Sequence, residues 1–224
     1  MKKIVIDPGH GGKDPGAVRG SLREKDFTLQ ISKEIKAYLQ KHFVCEVILT
    51  RETDTFVELS KRTKIANSSK ADVFVSIHLN AGAPNATGYE VLVHPSSKAA
   101  VFLASEISKR LAKTQLTSRG IKTRSDIYVL KHTKMPAALV EVGFITNEND
   151  MAYIQANLKT IAALIAEGVA SFLNLQKKTQ ELYRVVLKTG TYASLSQAEN
   201  AKKIIEEVTK KVAKVYKIEI IKEA

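Results

Sequence analysis

The feature that most restricts the fold of this chain is the alternation of short apolar runs with longer segments of helical period. The runs KIVID, CEVIL and VFVSI are apolar and rich in β-branched residues, as is typical of strands buried on both faces of a parallel sheet. Residues 24–41 and 98–113 instead repeat apolar residues at helical spacing. We therefore predict the α/β class, with a mostly parallel twisted sheet flanked by helices.

The order of these segments predicts one main domain and a small appendage. Further strands are expected at GYEVLVHP, around IYVL and at PAALVEVGF, and the last helix of the main domain is expected over residues 149–175. The polar stretch 176–182 is predicted to be a linker between a domain at 1–175 and a βαβ segment at 183–224. In that segment Ser196 is the expected N-cap of the helix, and the strands are YRVVLKTG and VYKIEII. About 42 residues are too few to bury a core alone.

Charge and hydropathy limit the classes of partner. The net charge of +12 suits an anionic surface such as a cell wall, although it also serves simple solubility. The chain lacks tryptophan and interleaved arginine and aromatic motifs, which argues against nucleic acid as the partner. No apolar run is long enough to span a membrane, so we expect no membrane insertion. The amino terminus lacks the apolar stretch of a secretory signal, so we expect synthesis in the cytoplasm without a signal peptide.

Three polar residues stand at or just past the ends of apolar runs. His10 follows KIVIDPG, His78 follows VFVSI and Glu141 follows AALV. The carboxyl ends of parallel strands meet at one edge of a sheet, where ligands bind. These side chains are therefore expected to converge, and Glu24 could join them from the start of the first predicted helix.

Two histidines with a carboxylate form a ligand set that suits a catalytic zinc ion. A second carboxylate could then act as general base and acid toward a water molecule. The glycines around His10 would let the chain turn sharply around a metal. Spacing alone leaves an alternative open, because a histidine after a strand is often only a hydrogen-bonded structural residue.

Three other residues are expected to support this region. Asp7 could hold the glycine-rich loop or orient a ligand histidine from outside the metal shell. Arg51 and Arg62 are expected to form structural ion pairs with Asp54 or its neighbours.

The motifs IVIDPGHGGKDPGA, TRETDTFVELSKRTKIAN, VFVSIHLNA and MPAALVEVGFITNEND resemble those of the zinc-dependent N-acetylmuramoyl-L-alanine amidases of the amidase-3 type. The resemblance covers about residues 2–173. It implies one zinc ion per catalytic domain, with His10, Glu24 and His78 as ligands and Glu141 as the catalytic carboxylate. Asn80 is a candidate for contacting the substrate peptide, and capping of the turn after its strand is the alternative.

The implied reaction is hydrolysis of the amide between N-acetylmuramic acid and L-alanine in peptidoglycan, by water that zinc activates. Without an export signal, the expected setting is a phage endolysin or a related lytic enzyme that acts on the cell wall after release. The alternatives are a non-catalytic protein that binds peptidoglycan or regulates an amidase, and another kind of zinc peptidase.

The segment YRVVLKTGTYASLSQAENAKKIIEEV resembles the first half of a SPOR domain, a peptidoglycan-binding module. Only half of that family's length is present. The resemblance implies a wall-binding role, and a half-module could also complete itself with a second copy, which would make a homodimer. Packing of the segment on its own catalytic domain is the alternative.

Overall fold

Eight strands and six helices make up the described part of the protein. The structure, a computed structural model, describes residues 1–178 and 194–209, and its contacts divide the chain into units Met1–Thr179 and Gln180–Ala224. The strands are β1 (Lys2–Pro8), β2 (Val18–Arg19), β3 (Leu22–Arg23), β4 (Cys45–Leu49), β5 (Val73–Asn80), β6 (Tyr89–Val93), β7 (Ser118–Thr123) and β8 (Ala137–Phe144). The helices are α1 (Glu24–His42), α2 (Leu59–Ser68), α3 (Lys98–Leu111), α4 (Tyr128–His132), α5 (Glu148–Phe172) and, in the smaller unit, α6 (Leu195–Thr209).

Six strands form one mostly parallel sheet, in the order β4-β1-β5-β8-β6-β7. Strands β4, β1, β5 and β8 are mutually parallel, whereas β6 pairs with β8 in the antiparallel direction and with β7 in the parallel direction. The carboxyl ends of β1, β5 and β8 therefore meet the amino ends of β6 and β7 at one edge. The predicted fold class is confirmed.

Alternation along each strand divides the core between the two faces of the sheet. Ile4 and Ile6 of β1 join a cluster with apolar residues of α1, α3 and α5, whereas Val5 joins a second cluster with residues of α2 and α4. The period of two residues in a strand places neighbours on opposite faces. The result is a sheet covered by three helices on one face and two on the other.

One predicted strand is wrong, and the strands β2, β3 and β7 were not predicted. The run IYVL is not a strand, because Tyr128–His132 form the short helix α4, whose Val129 and Leu130 pack against the second core cluster. Four apolar residues do not distinguish a strand from one buried helical turn. The missed strand β7, SRGIKT, has four exposed residues and lacks apolar alternation.

In the smaller unit the predicted helix is present as α6. Its amino end differs from the prediction, because the hydroxyl of Ser194, and not of Ser196, accepts a hydrogen bond from the Gln197 amide at 3.3 Å. The predicted strands YRVVLKTG and VYKIEII lie outside the described residues. Within residues 1–178 and 194–209, no helix combines the length and apolar character that crossing a bilayer requires.

Candidate active site and metal centre

His10, Glu24 and His78 meet at the edge where β1 and β5 end. Nε2 of His10 lies 3.1 Å from Oε2 of Glu24, and Nδ1 of His78 lies 2.9 Å from Oε1 of the same carboxylate. One ligand atom from each of the three lies within 4.8 Å of the others. The Glu24 side chain is only 4% exposed, whereas the side chains of His10 and His78 are 24% and 19% exposed. This group of donors can hold one metal ion.

Charge within this group favours an ionised carboxylate. Burial opposes ionisation of Glu24, but hydrogen bonds from His10 and His78 and their positive charge hold its pKa well below the usual range. Burial likewise lowers the pKa of His10, but its contacts with Glu24 and Asp14 outweigh burial and raise that pKa. Nδ1 of His10 lies 2.9 Å from Oδ2 of Asp14, which leaves Nε2 directed at Glu24. A carboxylate on the second nitrogen is the usual way to orient a metal-binding histidine.

Two glycines let the backbone pass directly beside these side chains. A Cβ on Gly9 would collide with the His78 ring. A Cβ on Gly16 would lie 2.6 Å from Oε2 of Glu24 and 2.7 Å from Cδ2 of His10, and Gly16 has a φ of +67°. Only glycine fits these positions without displacing a ligand group.

Two buried arginines hold the loop that carries His10, which has a left-handed φ of 59°. Arg62 donates to the carbonyl oxygens of Pro8 at 2.6 Å and His10 at 2.7 Å, and Arg51 donates to that of Gly9 at 2.8 Å. These bonds fix three successive carbonyl groups, which maintains the uncommon backbone conformation of His10.

The ion pairs of these arginines differ from the expectation. Arg62 pairs with Asp7 at 2.8 Å, and Asp54 pairs with Lys25 at 2.6 Å. Asp7 also accepts bonds from the hydroxyls of Thr50 and Ser76. Asp7 thus anchors the loop as expected but does not contact a histidine, a role that Asp14 takes.

Glu141 faces the ligand group from the neighbouring strand, since it is the register partner of His78 across β5 and β8. Its Oε2 is buried and finds no hydrogen-bond partner within the part of the chain that the structure describes. Burial raises its pKa to about 7, the carboxylates of Glu24 and Glu90 add to the effect, and His78 and His10 oppose it. A carboxyl group in this range can accept and donate a proton at neutral pH.

Asn80, at the end of β5, is engaged on both ends of its amide. Its Oδ1 accepts from the Ala81 amide at 2.9 Å, which is the expected capping contact, and its Nδ2 donates to Oε1 of Glu90 at 3.0 Å. Sequence reasoning missed Glu90, together with Asp14. An acidic residue four positions after His10 in a glycine-rich loop was the available signal for Asp14.

The fold thus brings His10, Glu24, His78, Glu141 and Asn80 to one edge of the sheet. Comparisons with known proteins show the family of the chain. Residues 4–171 match the family Amidase_3, described as N-acetylmuramoyl-L-alanine amidase.

Relatives of this chain occur in phage and in bacteria. The endolysin of Bacillus phage SPP1 is 40% identical over 189 residues, which cover 80% of this chain and 69% of that protein. The amidase CwlM of Bacillus licheniformis is 40% identical over 190 residues, covering 83% and 74%. The solved catalytic domain of CwlV, an N-acetylmuramoyl-L-alanine amidase from Bacillus (Paenibacillus) polymyxa var. colistinus, has a TM-score of 0.74 at 37% identity, covering 79% of this chain and 100% of that one.

Proposed function

This chain belongs to the N-acetylmuramoyl-L-alanine amidase family Amidase_3, and from that premise we propose that His10, Glu24 and His78 hold a catalytic zinc ion beside Glu141. As a member of this family the protein is an amidase of peptidoglycan, which cleaves the bond between N-acetylmuramic acid and L-alanine. The observation that carries the proposal is the convergence of the three donors beside Glu141, whose Oε2 has no hydrogen-bond partner among the residues that the structure describes.

The donor set fits zinc. Two imidazoles and one carboxylate are one of the three-ligand sets that hold catalytic zinc in proteins. Asp14 supports the fit, because it accepts from the far nitrogen of His10 and so orients the ring toward Glu24. When bound, zinc supplies Lewis acidity that polarises the amide carbonyl and makes water more acidic.

Glu141 is the proposed proton carrier. Its Oε2 has no competing partner among the described residues, so it is available to take the proton of the attacking water. The same oxygen then returns the proton to the nitrogen of L-alanine as the amide bond breaks. The products are the glycan with a free lactyl carboxylate and a stem peptide with a new amino terminus.

Product analysis tests the reaction, and metal analysis tests the ligands. Mass spectrometry of digested peptidoglycan is expected to show stem peptides that begin with L-alanine; cleavage within the peptide would indicate a peptidase instead. His78→Ala is expected to lose both bound zinc and activity. His94→Ala is the matched control, because His94 follows β6 at the opposite edge and contacts Ser96. A His78→Ala protein that keeps stoichiometric zinc would contradict the ligand assignment.

We also propose that the protein acts on the cell wall as a lytic enzyme of the endolysin kind, and that residues 183–224 form a half-length SPOR-like segment that binds wall or pairs with a second copy. The similarity to the phage SPP1 endolysin and the basic composition support the first point. Leu195 and Ile204 of α6 support the second, because they are 67% and 63% exposed and could be covered by a partner. Light scattering of the full chain tests pairing. We expect the parent chain to be a dimer and the double variant Leu195→Gln, Ile204→Gln to be a monomer. A monomeric parent chain would exclude pairing.

A further inference from the structure

A row of polar side chains extends from Glu141 toward the edge of the sheet. Glu90 of β6 is the register partner of Glu141. Its Oε1 accepts from Asn80 at 3.0 Å, and its Oε2 accepts from Nε of Arg119, on β7, at 3.2 Å. Both oxygens of Glu90 are therefore engaged, and Arg119 ends the row.

The guanidinium group of Arg119 is held on one side and open on the other. Glu90 binds its Nε, and its Cζ lies 5.0 Å from the centre of the Phe144 ring. Its Nη1 lies 3.5 Å from the Thr87 carbonyl oxygen, at the outer limit of a hydrogen bond, and its Nη2 contacts no acceptor within residues 1–178 and 194–209. The side chain is 41% exposed. An oriented guanidinium with its outer donors free is suited to binding a carboxylate through charge-assisted hydrogen bonds.

The distance between Arg119 and Glu141 limits which carboxylate of the substrate Arg119 can bind. Strand β7 lies two strand spacings from β8, so the guanidinium is within roughly 10 Å of Glu141. An extended peptide advances about 3.3 Å per residue, so this distance corresponds to the first two or three residues beyond the scissile amide. On the sugar side, the lactyl carboxyl group is consumed in the scissile amide. The carboxylates within reach therefore belong to the stem peptide.

We propose that Arg119, positioned by Glu90, binds a carboxylate of the second or third residue of the stem peptide and so sets the substrate specificity of the amidase. This inference rests on the proposed function only in placing the scissile amide beside Glu141. Asn80 donates to Glu90, so we assign Asn80 a positioning role toward Arg119 through Glu90.

The test uses three synthetic N-acetylmuramoyl tripeptides with the full-length, zinc-loaded enzyme. One has all its carboxyl groups free, one is amidated at the carboxyl group of the second residue that lies outside the peptide bonds, and one is amidated at the side-chain carboxyl group of the third residue. The parent enzyme is expected to lose about tenfold or more in kcat/KM on one of the amidated substrates, mainly through KM. Arg119→Met is expected to cleave the free and the amidated substrates with equal, low efficiency.

Two further variants keep the result interpretable. Arg119→Lys retains the charge but not the planar fork, so it is expected to keep only part of the preference. Arg124→Gln removes an exposed arginine just past the other end of β7 that is paired with Asp126, and it is expected to behave like the parent. Equal cleavage of all three substrates by the parent would overturn the carboxylate anchor and leave the amidase activity established. Preference retained by Arg119→Met would overturn it as well.

Discussion

The two halves of the active site differ in whether their buried polar atoms have hydrogen-bond partners. In the half built from β1 and its loop, Asp7 accepts from Thr50, Arg62 and Ser76, and the carbonyl groups before and at His10 accept from arginines. In the half built from β8, Oε2 of Glu141 is buried without any partner in the described chain.

This difference distinguishes the residues that fix the loop of His10 from the residue that reacts with substrate. Partnered buried groups resist movement, since each broken bond leaves an unsatisfied polar atom in a region of low dielectric. An unpartnered buried carboxyl group is costly to keep, and its oxygen stays available to a substrate. Glu141 therefore destabilises the fold, and the hydrogen-bonded network around the neighbouring residues offsets that cost.

The largest effect is expected when the carboxylate of Glu141 is replaced by an amide. Glu141→Gln keeps the shape of the side chain but removes the proton acceptor, so kcat is expected to fall by roughly 10²- to 10⁴-fold. Zinc content, measured by mass spectrometry of the metal, is expected to stay at the parent level. Glu46→Gln is the matched control, because Glu46 is a partly exposed glutamate of β4 that pairs with Lys3, and this variant should keep the parent's kcat. A Glu141→Gln enzyme with the parent's rate would remove Glu141 from the mechanism.

The half built from β1 and its loop is tested by removing one of its hydrogen-bond donors. Arg62→Met leaves the buried carboxylate of Asp7 without its ion pair, and the expected loss in the free energy of unfolding is about 3–5 kcal/mol. Denaturant titration measures this loss. Lys36→Met breaks the surface pair with Glu52 and is expected to cost no more than about 1 kcal/mol. Equal effects of the two substitutions would show that the buried network does not carry the loop.

The close approach of the backbone to the ligands is tested by one added methyl group. Gly16→Ala places Cβ against Glu24 and His10, so it is expected to weaken zinc binding and to destabilise the fold by about 1–3 kcal/mol through overpacking and the positive φ. Gly20→Ala is the matched control, since Gly20 also has a φ of +57° but no atom lies within 4 Å of its Cβ position. It is expected to carry only the backbone cost, about 1–2 kcal/mol, and to bind zinc normally. Zinc titration separates the two variants.

Sequence reasoning found the residues of this site that obey the strand-end rule. His10, His78 and Glu141 each end an apolar run, and in parallel strands these ends coincide. Glu90 and Arg119 reach the same edge from the amino ends of β6 and β7, because β6 runs against β8. The direction of β6 follows from long-range pairing and is not encoded in the local pattern GYEVLVHP.

Asp7, Arg51 and Arg62 were expected to support the site, but the sequence did not show which groups they would bond. Arg62 and Asp7 are 55 positions apart, and an arginine in an amphipathic helix ordinarily faces solvent. Only the packing of α2 beside the His10 loop turns it inward. The short helix α4 was misassigned because a single apolar turn has no period to read, whereas the long helices α1, α3 and α5 were predicted correctly.

The smallest effect is expected at Asp14, the carboxylate that contacts the proposed metal ligand His10. Asp14 is partly exposed and touches His10 only through Nδ1, so Asp14→Asn should keep the fold but orient the ring less firmly. Losing such a partner typically lowers metal affinity by about 10- to 100-fold. Competition with a chelator measures this change, and excess zinc should restore most of the activity. Asp72→Asn removes a carboxylate that binds Lys2 and the Lys3 amide at the opposite end of β1, and it should leave zinc affinity unchanged. If Asp14→Asn binds zinc as tightly as Asp72→Asn, the backbone clamp of Arg51 and Arg62 alone is sufficient to orient His10.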